Sequence, residues 1–389
     1  MSDVREPVIL AIDQGTTGTT VLLLDRSGAV VGRGYREVPC HYPRPGWVEQ
    51  DADELWQRSL AAVADAWSRC PGRPIAAIGI ANQRETTILW DAATSRPVAP
   101  AIVWQCRRTM PLCDRLRADG LSEEVARRTG LVIDPYFSAT KIQWLLDANP
   151  ELRARASRGD VRFGTVDSWL IWKLSQGAAH RTDHSNASRT MLYDIFERRW
   201  DETLLDRLAI PRAMLPEVQA SSSRFALTAG SDLPDGRILP AGIPIAGVAG
   251  DQQAALFGQT CFEPGTLKCT YGTGAFLLLN TGPTPVRSRA GLLTTLGCSR
   301  GEEPVYVLEG SVFVAGAAIQ WLRDQLGIVE RASDTEALAR QISDNDGVYF
   351  VPAFVGLGAP YWDPSARGAL VGLTRGVGRA HLARAALEA

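Results

Sequence analysis

AGVAGDQQAALFGQTCFEPGTLKCTYGTGAFLLL, residues 246–279, sets an acidic residue in a glycine turn and follows it with a glycine-threonine hairpin. Asp251 stands between Gly250 and Gln252 where an apolar run ends, a setting that can hold a carboxylate close to a substrate hydroxyl. Tyr271-Gly272-Thr273-Gly274 is flanked by two apolar runs of β type, so it reads as a tight turn between strands. Without a Cβ, glycine lets the backbone turn sharply and approach a ligand, while neighbouring N–H and hydroxyl groups offer donors to a phosphate. Two readings stay open for this stretch alone: a phosphate cradle beside a carboxylate, or an ordinary hairpin with an Asp-capped helix.

The same form occurs near the start of the chain. Residues 8–25, VILAIDQGTTGTTVLLLD, read as a buried strand, the acidic Asp13, a Gly/Thr turn and a second apolar strand, and residues 265–281 repeat it. The repetition predicts a duplicated α/β architecture whose two lobes each present a phosphate-binding hairpin to one cleft. Asp13 then becomes a candidate for orienting a Mg²⁺-bound water, because a carboxylate is a hard oxygen ligand. Taken alone, it is a turn residue.

Composition excludes several classes. A chain of 389 residues with 45% hydrophobic content has room for two or three domains with substantial cores. Net charge is −2 and no long Lys/Arg block occurs, so no nucleic-acid footprint is expected. Of 41 basic residues only three are lysines, Lys141, Lys173 and Lys268, as a genome-wide codon bias would give. None follows a glycine, which removes a Walker-type phosphate loop, and no G-x-G-x-x-G supports a dinucleotide fold. Seven scattered cysteines without a C-x-x-C pair suit a reducing compartment, where they are expected as buried small apolar groups. No apolar run approaches the length of a membrane span or a signal segment, so a cytoplasmic protein is expected.

Between the two hairpins the chain alternates strand and helix patterns, again pointing to α/β layers. Residues 51–68 read as a helix capped by Asp51, with Leu55, Trp56, Leu60, Val63 and Trp67 on one face. The strand at 75–80 runs into NQRETT, where Arg84 and Glu85 can serve a polyhydroxylated ligand or be plain surface charge. AIVWQCRR, residues 101–108, places Trp104 where it walls a small pocket or joins the core. Tyr136 follows Asp134-Pro135 and precedes a helix at 139–147. His180 and His184 have metal-compatible spacing, but their turn-rich stretch offers no clear third ligand. Residues 219–242, rich in Ser, Gly, Pro and Asp, read as irregular, and 348–373 as a loop-bearing segment between lobes. Residues 309–322 carry Gly310 and Gly316 and then an apolar helix with Gln320, against whose start a nucleotide can lie. The last element reads as a helix at 381–388 that stops at Ala389 with no capping residue after it.

With these blocks in view the chain resembles the FGGY carbohydrate kinase family, of the actin-like ATPase superfamily with its ribonuclease H-like lobes. Two family signatures are readable, YFSATKIQWLLDA at 136–148 and GALVGLTRGVGRAHLARAALE at 368–388. The blocks NQRETT, WQCRR, GLVIDPYFS, AGDQQAALFGQ and YGTG resemble the glycerol-phosphorylating branch more than the sugar kinases. The resemblance implies ATP-dependent phosphorylation of glycerol to sn-glycerol 3-phosphate. It implies that Arg84, Glu85, Trp104, Tyr136, Asp251, Gln252 and Phe276 surround glycerol. Likewise Thr16, Thr17, Gly18, Thr273, Gly316 and Gln320 lie along ATP, and Asp13 and Asp251 lie near Mg²⁺. Asp251 is implied as the general base, and the rest of the catalysis as in-line positioning and charge neutralisation.

Three departures qualify this. Thr20 stands where the family's first hairpin continues to a basic residue. Residues 230–237 lack the clustered glycines of a sugar-bisphosphate regulatory segment, so that regulation is not expected. The family continues past position 389 with a Gly-Gly adenosine motif, so the expectation is an N-terminal lobe, 1–252, and a truncated, incomplete second lobe, 253–389. The alternatives are another polyol or sugar kinase of the family, or a glycerol-binding remnant without catalysis; homo-oligomer formation stays open.

Overall fold

The computed structural model describes residues 6–301 and 303–389. The chain divides into two compact units, one comprising 1–264, 280–286 and 294–307, the other 265–279, 287–293 and 308–389.

The first unit is built on a six-stranded sheet. Val8–Gln14 lies inside it, antiparallel to Gly18–Leu24, which pairs in turn with the edge strand Val30–Glu37. On its other side Ile75–Asn82 and then Ile238–Gly250 run parallel to it, and Ala226–Asp232 closes the sheet antiparallel. The alternation of the sequence decides the faces. Leu10, Ile12, Val21, Leu23, Ile78 and Ile80 point into one core with Leu55, Leu60 and Val63 of the helix Ala52–Ser68 and Trp169 and Leu170 of the helix Val166–Leu174. Each such aliphatic side chain contributes about 1.5–3 kcal/mol on full burial. Asp51 caps the first of these helices as expected, accepting from the backbone N–H groups of Asp53 and Glu54. The opposite face carries small residues, Ala11, Gly79, Ala81, Gly247 and Ala249 among them, and lines a cavity of about 640 Å³.

Three expectations are corrected. Residues 226–250 are a hairpin of the main sheet rather than an irregular segment. Its Pro234-Asp235-Gly236 turn, with Gly236 at φ +84°, and a register shift between Leu227 and Ala229 are accommodated without ending the sheet. Residues 348–373 lie within the second unit, where Tyr349–Val351 pairs antiparallel with Ala369–Val371. All seven cysteines are free, and Cys70, Cys106 and Cys113 are buried, but Cys269 is exposed because it occupies an outward position of its strand.

The hairpin of Leu267–Tyr271 and Ala275–Gly282 has its turn, within the second unit, at Gly272-Thr273-Gly274, with Tyr271 opposite Ala275. The strand Tyr306–Val312 leads to the helix Gly316–Asp324, and Arg379–Glu388 is the last helix. Among the described residues no helix is long and apolar enough to cross a membrane.

Candidate active site

Three neighbouring parallel strands of the first unit end level with one another, Gln14 beside Asn82 and Asn82 beside Gly250. Loops leaving the carboxyl ends of adjacent parallel strands are where α/β folds place their ligands. Here the ends of those strands and the segments that follow them carry Asp13 and Gln14, Gln83 to Glu85, and Asp251 and Gln252. A chain of amides ties them together. Gln83 Nε2 donates to Gln14 Oε1 at 3.1 Å and to Gln50 Oε1 at 3.0 Å, while Gln50 Nε2 donates to the Thr16 carbonyl at 2.7 Å.

Arg84 is the hub. It is 3% exposed, and its Nη2 donates to the Tyr136 hydroxyl at 3.3 Å, its Nη1 to Gln253 Oε1 at 3.3 Å, while its Nε lies 3.4 Å from Asp251 Oδ1. Gly250 permits this approach, since a Cβ there would stand 2.7 Å from Arg84 Cδ. Asp251 begins the helix Asp251–Gly258; it is not the cap, a place taken by Gly250. Glu85 is 1% exposed and accepts from Arg189 Nε at 2.6 Å, with Arg84 Nε 3.9 Å from the same carboxylate oxygen. The pair is therefore buried, which rules out the surface-charge alternative. Its φ of +59° is a left-handed conformation that a non-glycine residue adopts at a cost, and such outliers concentrate at functional sites.

Tyr136 is buried and its loop is pinned twice. Its backbone N–H donates to Asp134 Oδ1 at 2.8 Å, and Asp134 in turn accepts from Arg107 Nη1 at 3.0 Å. Trp104 meets the Tyr136 ring edge-on at 5.6 Å between centroids, and its indole N–H donates to Thr16 Oγ1 at 2.8 Å. One aromatic wall thus joins the first hairpin turn to the Arg84 cluster. That turn is closed by Gly15 N–H on the Gly18 carbonyl at 2.9 Å, and Thr17 is exposed on it.

Asp13 points to the small-residue face, opposite Thr20 on the paired strand, and both line the 640 Å³ cavity. The carboxylate is reachable from the cavity, yet the surrounding protein withdraws bulk water from it and Asp251 adds negative charge. Together these push it up to about 6. Two carboxylates that repel one another in this way form a donor set that a divalent cation relieves, so Asp13 and Asp251 fit Mg²⁺. Among the described residues no cluster of three or more His, Cys, Asp or Glu forms a metal site. His180 binds the Phe163 carbonyl through Nε2 at 2.7 Å, and burial pushes it down to about 4. His184 pairs through Nδ1 with the Tyr193 hydroxyl at 2.9 Å, so each histidine has a separate structural role.

The second unit assembles its own group. The N–H groups of Ala315 and Ala317 donate to the Thr273 carbonyl at 2.8 and 3.1 Å, and that of Gly316 to the Gly272 carbonyl at 3.0 Å. A Cβ at Gly316 would lie 2.6 Å from the Gly272 oxygen, so only glycine allows the helix start to sit on the hairpin turn. Gln320 is exposed one turn further along, and Phe276 is half-buried with its carbonyl accepting from Lys268 Nζ at 3.2 Å.

Sequence reasoning missed Arg189, Gln253, Lys141 and the Gln14-Gln50-Gln83 chain. Arg189 carries no local signal in SNASRT, since its partner is 104 positions away. Lys141 did carry one, being one of three lysines in an arginine-rich chain.

A two-lobed α/β fold of the actin-like ATPase class, with glycine-threonine turns in both units, defines a nucleotide-dependent phosphotransferase. The chain belongs to the FGGY family of carbohydrate kinases, whose N-terminal domain matches residues 8–258 and whose C-terminal domain matches 267–389. It is 56% identical over 382 residues to a glycerol kinase of Symbiobacterium thermophilum, covering 98% of this chain and 76% of that one. It is 54% identical over 385 residues to the glycerol kinase of Petrotoga mobilis, with the same coverage, 98% and 76%. Among solved structures, Plasmodium falciparum glycerol kinase with ADP superimposes with a TM-score of 0.87 at 37% identity, over 99% of this chain and 76% of that one. A xylulose kinase of Lactobacillus acidophilus shares the fold with a TM-score of 0.84 at 22% identity, over 98% and 76%.

Proposed function

We propose that this chain transfers the terminal phosphoryl group of ATP to glycerol, giving sn-glycerol 3-phosphate and ADP. The observation that carries the reading is the single Arg84 guanidinium that gathers the Tyr136 hydroxyl, Gln253 and the Asp251 carboxylate at the ends of three parallel strands. The 56% identity to a glycerol kinase supports the substrate.

Arg84, Glu85 and Gln252 bind and orient the glycerol hydroxyls, and Trp104, Tyr136 and Phe276 cover its carbons. Asp251, with its side chain 31% exposed, accepts the proton of the attacking hydroxyl while Arg84 holds the carboxylate in direction. The hydroxyl oxygen bonds to the γ-phosphorus as the bond to the β-phosphate oxygen breaks, and ADP leaves. Thr16, Thr17 and Gly18 of the first unit and Thr273, Gly316 and Gln320 of the second bind ATP. Asp13 and Asp251 would hold Mg²⁺, which when bound neutralises phosphate charge. The proposed division of labour assigns 1–252 to glycerol and phosphate and 253–389 to the second phosphate hairpin. Free cysteines support a cytoplasmic setting, and light scattering decides between monomer and homo-oligomer.

Initial rates of ADP release with glycerol, xylulose and gluconate at equal concentrations test the reading. Glycerol is expected to drive turnover at least tenfold better than either acid or ketose. Equal rates, or preference for a sugar, would contradict it.

A further inference from the structure

The Lys141 head group meets the proposed substrate residue Tyr136 through its backbone carbonyl, and its ammonium is the centre around which the Tyr136 loop is wrapped. It lies in the first turn of the helix Ser138–Asp147 and reaches back over the helix start. Its Nζ donates to three successive carbonyls, Pro135 at 2.7 Å, Tyr136 at 2.6 Å and Phe137 at 3.0 Å. The side chain is fully buried. An ammonium has three donors and no acceptor, so the three carbonyls saturate it. Burial and the positive end of the helix dipole both disfavour a cation here, and the Glu85 and Asp134 charges only partly offset them. A charge kept there against both is fixing the backbone. The residue type agrees: an ammonium is a point with three rotatable donors, whereas the planar fork of arginine cannot converge on one centre. In a chain where only three of 41 basic residues are lysines, this is a position at which arginine would not serve.

We propose that Lys141 is a positioning residue for the glycerol site, setting the Tyr136 ring against Trp104 and its hydroxyl against Arg84 by gathering the carbonyls of residues 135–137. This rests on the reading that Tyr136 lines the glycerol pocket. The relevant geometry is the 5.6 Å ring contact and the 3.3 Å hydroxyl contact, both of which move with the loop.

The position also makes the loop sensitive to alkali. Glu85, Asp134, Cys106 and Cys113 are the titratable groups facing Nζ, with Arg107 paired to Asp134 and Arg117 acting on both Asp134 and Cys113. Burial pushes the ammonium down to about 8 and the Cys113 thiol up to about 12, so Lys141 titrates while that thiol stays neutral. A neutral amine brings two donors and a lone pair to three acceptors, so the loop loosens as pH rises through about 8.

Initial rates varied in glycerol and in ATP across the alkaline range, for wild type, Lys141→Met and Tyr136→Ala, test this. Lys141→Met is expected to raise the glycerol KM roughly 10- to 100-fold, with kcat and the ATP KM within a few-fold, as losing binding shared by the ground and transition states does. The wild-type glycerol KM rises as pH passes about 8, and in Lys141→Met that rise is absent. Tyr136→Ala raises the glycerol KM at every pH. An unchanged glycerol KM in Tyr136→Ala overturns the site reading and this inference with it. A raised KM there with no change in Lys141→Met, or with a proportional rise in the ATP KM, overturns the inference alone. If Lys141→Met does not fold, a wild-type glycerol KM that stays flat through pH 8 is enough to overturn it.

Discussion

Replacing Asp251 by Asn tests the chemistry with the least disturbance of shape. The substitution keeps the volume and leaves an oxygen for the Gln252 N–H, which now donates to Oδ1 at 2.7 Å. Arg84 keeps Tyr136 and Gln253 as partners, so the polyol pocket stays assembled. What disappears is one negative charge and the capacity to take a proton. Loss of a general base costs roughly 10²- to 10⁴-fold in kcat, equivalent to about 2.7–5.5 kcal/mol of barrier. A second consequence follows from the carboxylate pair. Burial is the first cause of the raised Asp13 and the Asp251 charge the second, so in Asp251→Asn the Asp13 carboxyl falls below about 6 without reaching its ordinary 3.8. Before Mg²⁺ binds, the wild-type Asp13 carboxyl takes up a proton as pH drops through about 6, so the wild-type rate is expected to need more Mg²⁺ below that pH and the variant's residual rate only at lower pH. Coupled ADP-release rates across the acid range at several Mg²⁺ concentrations, with glycerol affinity measured by calorimetry, read both effects. Turnover within a few-fold of wild type would refute the base assignment. A loss of glycerol binding in proportion to kcat would make Asp251 a binding group only.

Removing one member of a buried ion pair strands the other, so Arg189→Met should destabilise the fold by about 3–5 kcal/mol in urea unfolding; combining it with Glu85→Gln should recover part of the loss, and strictly additive losses would contradict the pairing. Thr20→Arg places a cation opposite Asp13 across the strand pair. Cross-strand opposite charges contribute about 0.2–1 kcal/mol, so Asp13 shifts down and the ATP KM falls severalfold at low salt; a salt-independent KM would contradict this. Asp167 is buried between the Thr165 and Thr182 hydroxyls, and burial with the neighbouring Asp183 pushes it up to about 7. A folded value above the unfolded 3.8 means its protonated form favours folding: that stability is full below about 4 and is lost as pH rises to about 7. Asp167→Asn should remove this slope and gain on wild type toward neutral pH, which thermal melts at several pH values will show or exclude.

Much of the architecture was legible locally. The alternation in VILAIDQ and in IAAIGIAN gives strands with one buried face, Asp51 announces its helix, and Gly272-Thr273-Gly274 announces a hairpin, because each signal lies within a few residues of what it specifies. The hairpin at 226–250 was misread for the same reason in reverse: its Pro-Asp-Gly turn and its glycines are local, whereas its place in the main sheet comes from pairing with Ile75–Asn82. Sequence also named Arg84, Glu85, Trp104, Tyr136 and Asp251 by resemblance. It could not say that Arg84 and Glu85 are buried. Nor could it give the partners that hold these groups, Arg189 for Glu85, Thr16 for Trp104 and Gln253 for Arg84, which are brought from 104, 88 and 169 positions away. A one-dimensional pattern records which face of an element is apolar. Which charges then meet in the space left between elements depends on strand order and loop paths, and only the tertiary structure decides that.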